Sequence, residues 1–142
     1  MDGGPMRTIF IASPALLALT AAQAAPSTVE GRWANPSKSV IIAVAPCGSA
    51  MCGKVEWASD KAKADASKGT RQLVGTNLLT DLREKKPGVW RGKLFVPDQN
   101  LRVSAQITLA GDTQLKVAGC ALLGKVCKSQ VWSRTEEPVP TQ

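Results

Sequence analysis

The sequence predicts an all-β protein, an antiparallel meander of about eight strands that closes into a small barrel. Short segments in which apolar and polar residues alternate recur along the chain, and this period is typical of half-buried strands. Turn residues such as Pro87-Gly88 and Gly111-Asp112 separate these segments, and no long helical pattern connects them. A meander of this length can close on itself, which removes its exposed edges.

The first residues of the chain predict a signal peptide over residues 1–24. An arginine precedes an apolar stretch at 9–19, and the small-x-small sequence at 22–24 marks a cleavage site. A membrane anchor is the alternative, but the stretch is shorter than the about 20 residues of a spanning helix. We therefore expect a periplasmic or secreted protein with a single domain at 25–135 and a disordered tail at 136–142.

The centre of the predicted sheet is a hairpin at residues 40–57, which carries two cysteines at its tip. The four cysteines of the chain permit three connectivities. We favour pairing near neighbours, because export to an oxidising compartment makes disulfides the default. The expected bridges each flank a turn; their members are Cys47 with Cys52 and Cys120 with Cys127.

Two segments after this hairpin are harder to interpret. Residues 58–71 are rich in Ser, Asp, Lys and Ala, so we predict a mobile surface connection, too polar to pack, with room for one helical turn at 61–66. Residues 72–82 fit a bent strand or a short helix equally well. Residues 83–88 are charged and end in a turn at Pro87-Gly88.

The second half of the chain gives the clearest strand patterns. At 89–96, Trp90 and Leu94 share a face, whereas Arg91 and Lys93 point the other way. At 101–109, five apolar residues alternate with four polar ones, and the pattern continues at 115–117 after the turn. The last strand ends at Arg134.

Several short motifs stand out along the chain: Pro46-Cys47-Gly48, Cys52-Gly53 with Trp57, Trp90-Arg91-Gly92, Gly119-Cys120, Leu123-Gly124 and Trp132-Ser133-Arg134. Together they resemble the bacterial exported family of unknown function DUF2147, from Gly31 to Arg134. The two cysteine-containing motifs are the most specific part of this resemblance. The resemblance implies a lipocalin-like, calycin-type barrel in the cell envelope. It implies no established activity.

The first and last strands carry residues similar to those that close lipocalin barrels. Gly31-Arg32-Trp33 resembles the Gly-x-Trp motif, and Arg134 resembles the closing arginine. The resemblance implies that the guanidinium of Arg134 lies over the indole of Trp33, a cation–π contact. The alternative is an ordinary strand entry, because a tripeptide of this kind is a weak motif.

Catalytic groups are scarce in this sequence. It contains no histidine and no tyrosine, which removes the commonest general base and metal ligand. Its carboxylates have no spacing that forces two of them together, and the cysteine spacings are loose for zinc. We therefore predict no enzyme, no catalytic residue, no metal and no cofactor. A carboxylate pair assembled only by folding stays open.

The tryptophans and the net charge of +7 suggest two functions. Our leading hypothesis is a binding module for a small apolar or amphipathic ligand inside the barrel, if the barrel is not simply filled. The residues that we expect at this site are Trp57, Trp90, Leu94, Val103 and Ile107. The alternative is an envelope interaction or structural module whose basic surface meets an anionic envelope component. Export argues against nucleic acid.

Overall fold

The computed structural model describes residues 3–5, 9, 11, 28–137 and 139–140 of the chain. The predicted signal peptide and its cleavage site therefore lie almost entirely outside the described residues. No described helix has both the length and the apolar character needed to cross a membrane.

The eight strands are antiparallel, and each pairs with its neighbour in the chain until the last pairs with the first. This closed meander confirms the predicted fold class. The strands are β1 (Gly31–Ala34), β2 (Val40–Cys47), β3 (Ala50–Ala58), β4 (Asn77–Lys86), β5 (Val89–Val96), β6 (Leu101–Ala110), β7 (Gln114–Ala121) and β8 (Val126–Arg134). One helix, α1 (Asp60–Ala66), and a 3₁₀ turn at Pro97–Gln99 lie in the connections.

The hairpin of β6 and β7 shows how alternation places side chains inside the barrel. Ala105 and Ile107 on β6, and Leu115 and Val117 on β7, are buried. The residues between them are exposed or half-buried. The tight turn at Gly111 has φ +65°, a conformation that glycine adopts without the steric cost borne by other residues.

Both predicted disulfides are present. Cys47 pairs with Cys52 at the end of the β2–β3 hairpin, and Cys120 pairs with Cys127 near the end of the β7–β8 hairpin. Cys120 and Cys127 are also register partners on their two strands. Each bridge therefore constrains a turn that backbone pairing already forms.

The ambiguous segment at 72–82 contributes a strand, β4, which begins at Asn77 and runs on to Lys86. The predicted turn at Pro87-Gly88 lies between β4 and β5, and the charged residues before it belong to β4. The register of β4 shifts against both of its neighbours, and Asp81 adopts φ +53°. These irregularities bend the strand and break its alternation, which explains why the pattern fitted a bent strand and a short helix equally well.

The connection at 59–76 packs against the barrel. The expectation that residues 58–71 are too polar to pack was wrong at Ala66, which is buried. Ala66, the last residue of α1, and Leu73 are 4% and 6% exposed, and both belong to the hydrophobic core. At Gly69, a Cβ atom would lie 2.5 Å from the carbonyl oxygen of Pro97, so only glycine permits this close approach. The connection therefore lies across one end of the barrel.

The two ends of the barrel differ, and we name them for what covers them. The mouth carries the connections at 35–39, 59–76, 97–100 and 122–125. The closed end carries the short turns at 48–49, 87–88 and 111–113. Residues 28–30, which lead into β1, and residues 135–137, which follow β8, also lie at the closed end, where Arg134 bonds to the backbone of Thr28 and Glu30.

Candidate binding site at the barrel mouth

The interior of the barrel is filled by side chains. The largest fully buried ones come from six of the eight strands and from the segment that leads into β1: Trp33, Ile42, Leu79, Leu82, Ile107, Leu115, Val29 and Val55. Val29 covers this core from the closed end, and Ala66 and Leu73 cover it from the mouth. A ligand in the centre of the barrel would have to displace these side chains.

Four of the five predicted ligand-binding residues lie together on β5 and β6: Trp90 and Ile107 belong to the core, and Leu94 and Val103 beside them are half-buried. Trp90 faces Ile107 across β5 and β6, and Leu94 faces Val103 farther along the same pair. Ile107 is fully buried, and Trp90 is 7% exposed. A Cβ atom on Gly119 would lie 2.9 Å from Leu94 and 3.1 Å from Val103. The four side chains are therefore packed against their neighbours.

The structure does not bring Trp57 to the other four. Trp57 pairs with Ile41, but the register shifts between Ile41 and Ile42, so that Ile42 pairs with Val55. This irregularity moves Trp57 to the outer face and leaves the next residue, Ala58, inside the core. Sequence alternation alone could not reveal this, because one extra residue in a strand reverses the face of every later side chain.

Trp33 and Arg134, the residues expected to close the barrel, meet at the closed end. Trp33 is fully buried, and its indole nitrogen donates to the carbonyl of Val29 at 3.0 Å. The guanidinium carbon of Arg134 lies 4.3 Å from the ring centroid of Trp33. The guanidinium also donates to the carbonyl oxygens of Asp112, Glu30 and Thr28 at 2.6, 2.7 and 2.6 Å. Its bonds thus join the chain that enters β1 to the turn between β6 and β7.

The mouth contains an open cavity of about 480 Å³. This size lies within the range of about 300 to 1,000 Å³ that is usual for small-molecule sites. Its apolar walls come from Val40, Ala62, Ala66, Leu73, Leu78 and Pro97, and its polar groups come from Asn35, Ser37, Ser39, Lys61, Asp65 and Asp98. Val40, Ala66 and Leu73 are core residues, so the floor of the cavity is the upper surface of the core.

Hydrogen bonds hold one side of the cavity rim, in the connection between β1 and β2. The side-chain oxygen of Asn35 accepts from the backbone of Ser39 and Val40 at 2.8 and 3.0 Å. Its amide nitrogen donates to the hydroxyls of Ser37 and Ser39 at 3.2 and 3.0 Å. The two hydroxyls lie 2.8 Å apart. This network uses the donors and acceptors of the Asn35 amide and fixes the two hydroxyls beside the cavity, where they can bond to a polar group.

Helix α1 forms the opposite side of the rim. The hydroxyl of Ser59 caps the helix by accepting from the backbone nitrogen of Ala62 at 3.1 Å. Within the same helix, Lys61 Nζ and Asp65 Oδ2 lie 2.6 Å apart and form an ion pair across one turn. The hydrogen bond and the charge of Asp65 raise the pKa of Lys61 above 10.5. The backbone nitrogen of Ser59 donates to Ser39 at 2.8 Å, which ties the two sides of the rim together.

Sequence reasoning missed the residues of this cavity. A signal was present, because Ala62 and Ala66 are four residues apart and therefore lie on one helical face. That apolar face, followed by Leu73 and Leu78, indicates that the segment packs against an apolar surface. The overall polarity of 58–71 concealed it.

The comparisons with known proteins agree with this architecture. The sequence model of the family described as "Uncharacterized protein conserved in bacteria (DUF2147)" matches residues 31–134. The chain belongs to this family. The matched range begins with the first residue of β1 and ends with the last residue of β8. The DUF2147 region is thus the whole barrel.

One solved structure shows how the DUF2147 barrel relates to other folds. It is described as "Protein HP1028 from the human pathogen Helicobacter pylori belongs to the lipocalin family". The alignment covers 78% of this chain and 85% of that one, with a TM-score of 0.61 and 15% sequence identity. This similarity shows that the DUF2147 chain has a lipocalin-like fold. No curated protein matches the sequence.

A second cavity lies at the closed end of the DUF2147 barrel. It is a shallower groove of about 400 Å³ between the tip of the β2–β3 hairpin and the β4–β5 hairpin. Met51, Leu82 and Trp90 contribute its apolar surface, and Arg83 and Glu84 its charges. Arg83 is held by Asp81 at 3.0 Å. The mouth cavity is larger and combines an apolar floor with a fixed polar rim, so it is the stronger candidate for a binding site.

Metal-binding side chains do not cluster in the described part of the barrel. Among those residues, no group of three or more Cys, Asp or Glu side chains could hold a metal ion. All four cysteines are in disulfides.

Proposed function

We propose that this protein is an exported binding protein, not an enzyme, and that it holds a small amphipathic molecule in the mouth of its barrel. The observation that carries the proposal is the cavity of about 480 Å³ above the core. Export is supported by the two disulfides, which form and persist in oxidising compartments.

The lining of the cavity favours a ligand with an apolar body and a polar head. The floor is apolar, and burying a short alkyl chain against it gains about 0.8 kcal/mol per CH₂ group. The rim offers the hydroxyls of Ser37 and Ser39 and the Lys61–Asp65 ion pair. A head group with both donors and acceptors could bond to these groups. The ligand would lie at the mouth, with the packed core beneath it.

A pair of tryptophan substitutions on α1 tests this proposal. Ala62 lines the cavity, so the indole of Ala62→Trp would occupy the space. Ala64 is exposed on the same helix and does not line the cavity, so Ala64→Trp is the matched control. We expect a dansyl-labelled medium-chain fatty acid to bind to the wild type and to Ala64→Trp. Ala62→Trp should bind it about tenfold more weakly or worse.

Fluorescence titration of the dansyl group measures the affinity, and urea unfolding confirms that each variant is folded. Two results contradict the proposal. One is equal affinity of Ala62→Trp and Ala64→Trp for the probe. The other is that neither fatty acids nor alkyl amines nor alkyl phosphates bind to the wild type.

A further inference from the structure

The end of the β7–β8 hairpin exposes two leucines that the fold does not need there. Leu122 is 71% exposed and Leu123 is 102% exposed. The last pair between β6 and β7 joins Ser104 to Cys120, so the residues after Cys120 are no longer paired with β6. On the other side, β1 pairs with β8 only at Ser133 and Arg134. The tip at 121–126 is therefore paired with neither neighbouring strand.

The backbone of this tip makes the leucines more unusual. Leu122 and Leu123 have φ values of +54° and +57°, and Gly124 follows at +82°. Glycine and asparagine adopt this left-handed conformation readily, whereas a leucine side chain is disfavoured in it. Water also disfavours the exposed side chains. Neither the turn nor the solvent favours leucine here. The two leucines therefore point to contact with a partner outside the barrel.

A disulfide makes the tip a firm support. Cys120 and Cys127 are register partners and are bonded to each other. The bridge closes a loop that contains both leucines, and it limits the conformations in which they can fold back onto the barrel. The hairpin therefore presents the two apolar side chains away from the core.

The charge around the tip indicates the chemistry of this partner. The connections at the mouth carry six basic and three acidic residues, whereas the connections and terminal segments at the closed end carry four acidic residues and no basic one. Lys85 and Lys86, at the end of β4, offset part of the acidic charge there. Lys125 lies in the tip itself and Lys128 lies just below it. The apolar tip thus projects from the more basic end.

We propose that the β7–β8 tip docks the protein onto an anionic lipid surface. Leu122 and Leu123 enter the boundary between head groups and acyl chains, while Lys125 and Lys128 contact the anionic head groups. Exposed apolar residues with adjacent lysines are typical of proteins that bind at this boundary. Because the tip and the cavity are at the same end of the barrel, docking would turn the mouth towards the lipid. The inference goes beyond the proposed function and does not require the cavity to be occupied.

Binding of the full chain to lipid vesicles tests this inference. The two kinds of vesicle are phosphatidylglycerol mixed with phosphatidylethanolamine, and phosphatidylcholine alone. We expect Leu122→Ser with Leu123→Ser to weaken binding to the anionic vesicles about tenfold or more. Val131→Ser is the matched control, since Val131 is an exposed apolar residue of β8 that lies away from the tip. It should bind as the wild type does.

Two further variants separate the charge from the insertion. Lys125→Ser with Lys128→Ser should reduce the preference for anionic vesicles and its dependence on salt. The fluorescence emission of Leu123→Trp should shift to the blue when vesicles are added, and the emission of Val131→Trp should not. All variants carry the same N terminus as the wild type, so any difference reports on the tip.

Equal binding of the double leucine variant and the wild type would overturn the inference, as would an unshifted emission of Leu123→Trp. If the leucine variant binds vesicles normally but no longer retains an envelope protein, the tip docks on protein and not on lipid. Equal affinity of Ala62→Trp and Ala64→Trp for the dansyl-labelled fatty acid would contradict the proposed function and leave these vesicle results unchanged, so the two proposals fail separately.

Discussion

The two ends of the barrel are built from similar parts but have different properties. Each end has a disulfide near the end of a hairpin, Cys47–Cys52 at the closed end and Cys120–Cys127 at the mouth. Each also has an arginine over an aromatic ring, Arg134 over Trp33 and Arg102 over Phe95. The two disulfides are alike, because each joins one exposed and one half-buried cysteine. The arginine contacts differ, because Trp33 belongs to the hydrophobic core and Phe95, although buried, does not, and because Arg134 also donates to three backbone carbonyls. The comparison teaches that such a contact contributes most where it joins the core to other segments.

Closure by strands and closure by a connection also differ. At the closed end, the buried Trp33 and Val29 complete the core directly. At the mouth, the connection at 59–76 covers the core with Ala66 and Leu73 and leaves a cavity beside them. We therefore expect the closed end to contribute more to stability and the mouth to be available for binding.

The largest expected effect comes from truncating the side chain that fills each end. Trp33→Ala should lower the free energy of unfolding by about 3 to 5 kcal/mol, because it leaves a large internal cavity. Leu73→Ala should cost about 2 kcal/mol, since Leu73 borders an open cavity that water can enter. Urea unfolding measures both values.

Trp33→Phe is a milder variant that can be measured if Trp33→Ala does not fold. It keeps an aromatic ring but loses the indole bond to Val29, so it should cost about 1 to 2 kcal/mol. Equal losses for Trp33→Ala and Leu73→Ala would refute the difference between the two ends.

Removing each disulfide should have similar effects on global stability but different local effects. The bridges close loops of similar length, with separations of five and seven residues, so the loop-entropy estimate gives about 2 kcal/mol for each. Without Cys120–Cys127, the amides at 121–126 should exchange much faster, because no neighbouring strand covers them. Without Cys47–Cys52, exchange in β2 and β3 should change less, since β1 and β4 flank that hairpin.

Paired cysteine-to-serine variants followed by hydrogen exchange check this prediction. A uniform loss of protection along both hairpins in both variants would show that the tip at the mouth is no more loosely held than the one at the closed end.

The smallest expected effect is the difference in stability loss between substitutions of the two arginines. Arg134→Lys should cost about 1 to 2 kcal/mol, because lysine keeps the charge but cannot reproduce the fork that bonds three carbonyls. Arg102→Lys should cost about 0.5 kcal/mol, the usual value of an exposed cation–π contact. The difference between the two urea midpoints is the measurement. A larger loss for Arg102→Lys would contradict the order.

Individual residues show where sequence reasoning succeeded and where it failed. The alternation at 101–109 placed Ile107 inside correctly, because a regular strand keeps its period. The same reasoning misplaced Trp57, because the irregularity between Ile41 and Ile42 reverses the face of later residues. The cavity was missed altogether, since its lining comes from the connection between β1 and β2, from α1, and from the 3₁₀ turn.

The order of strands, their antiparallel pairing and the two cysteine bridges followed from the sequence alone. These features depend on residues that are close in the chain, so local alternation and turn chemistry report on them. Only the tertiary structure decided that the barrel is filled, that the cavity lies at the mouth, and that Leu122 and Leu123 project from the same end. Those features depend on how distant segments meet, and no local pattern records that geometry.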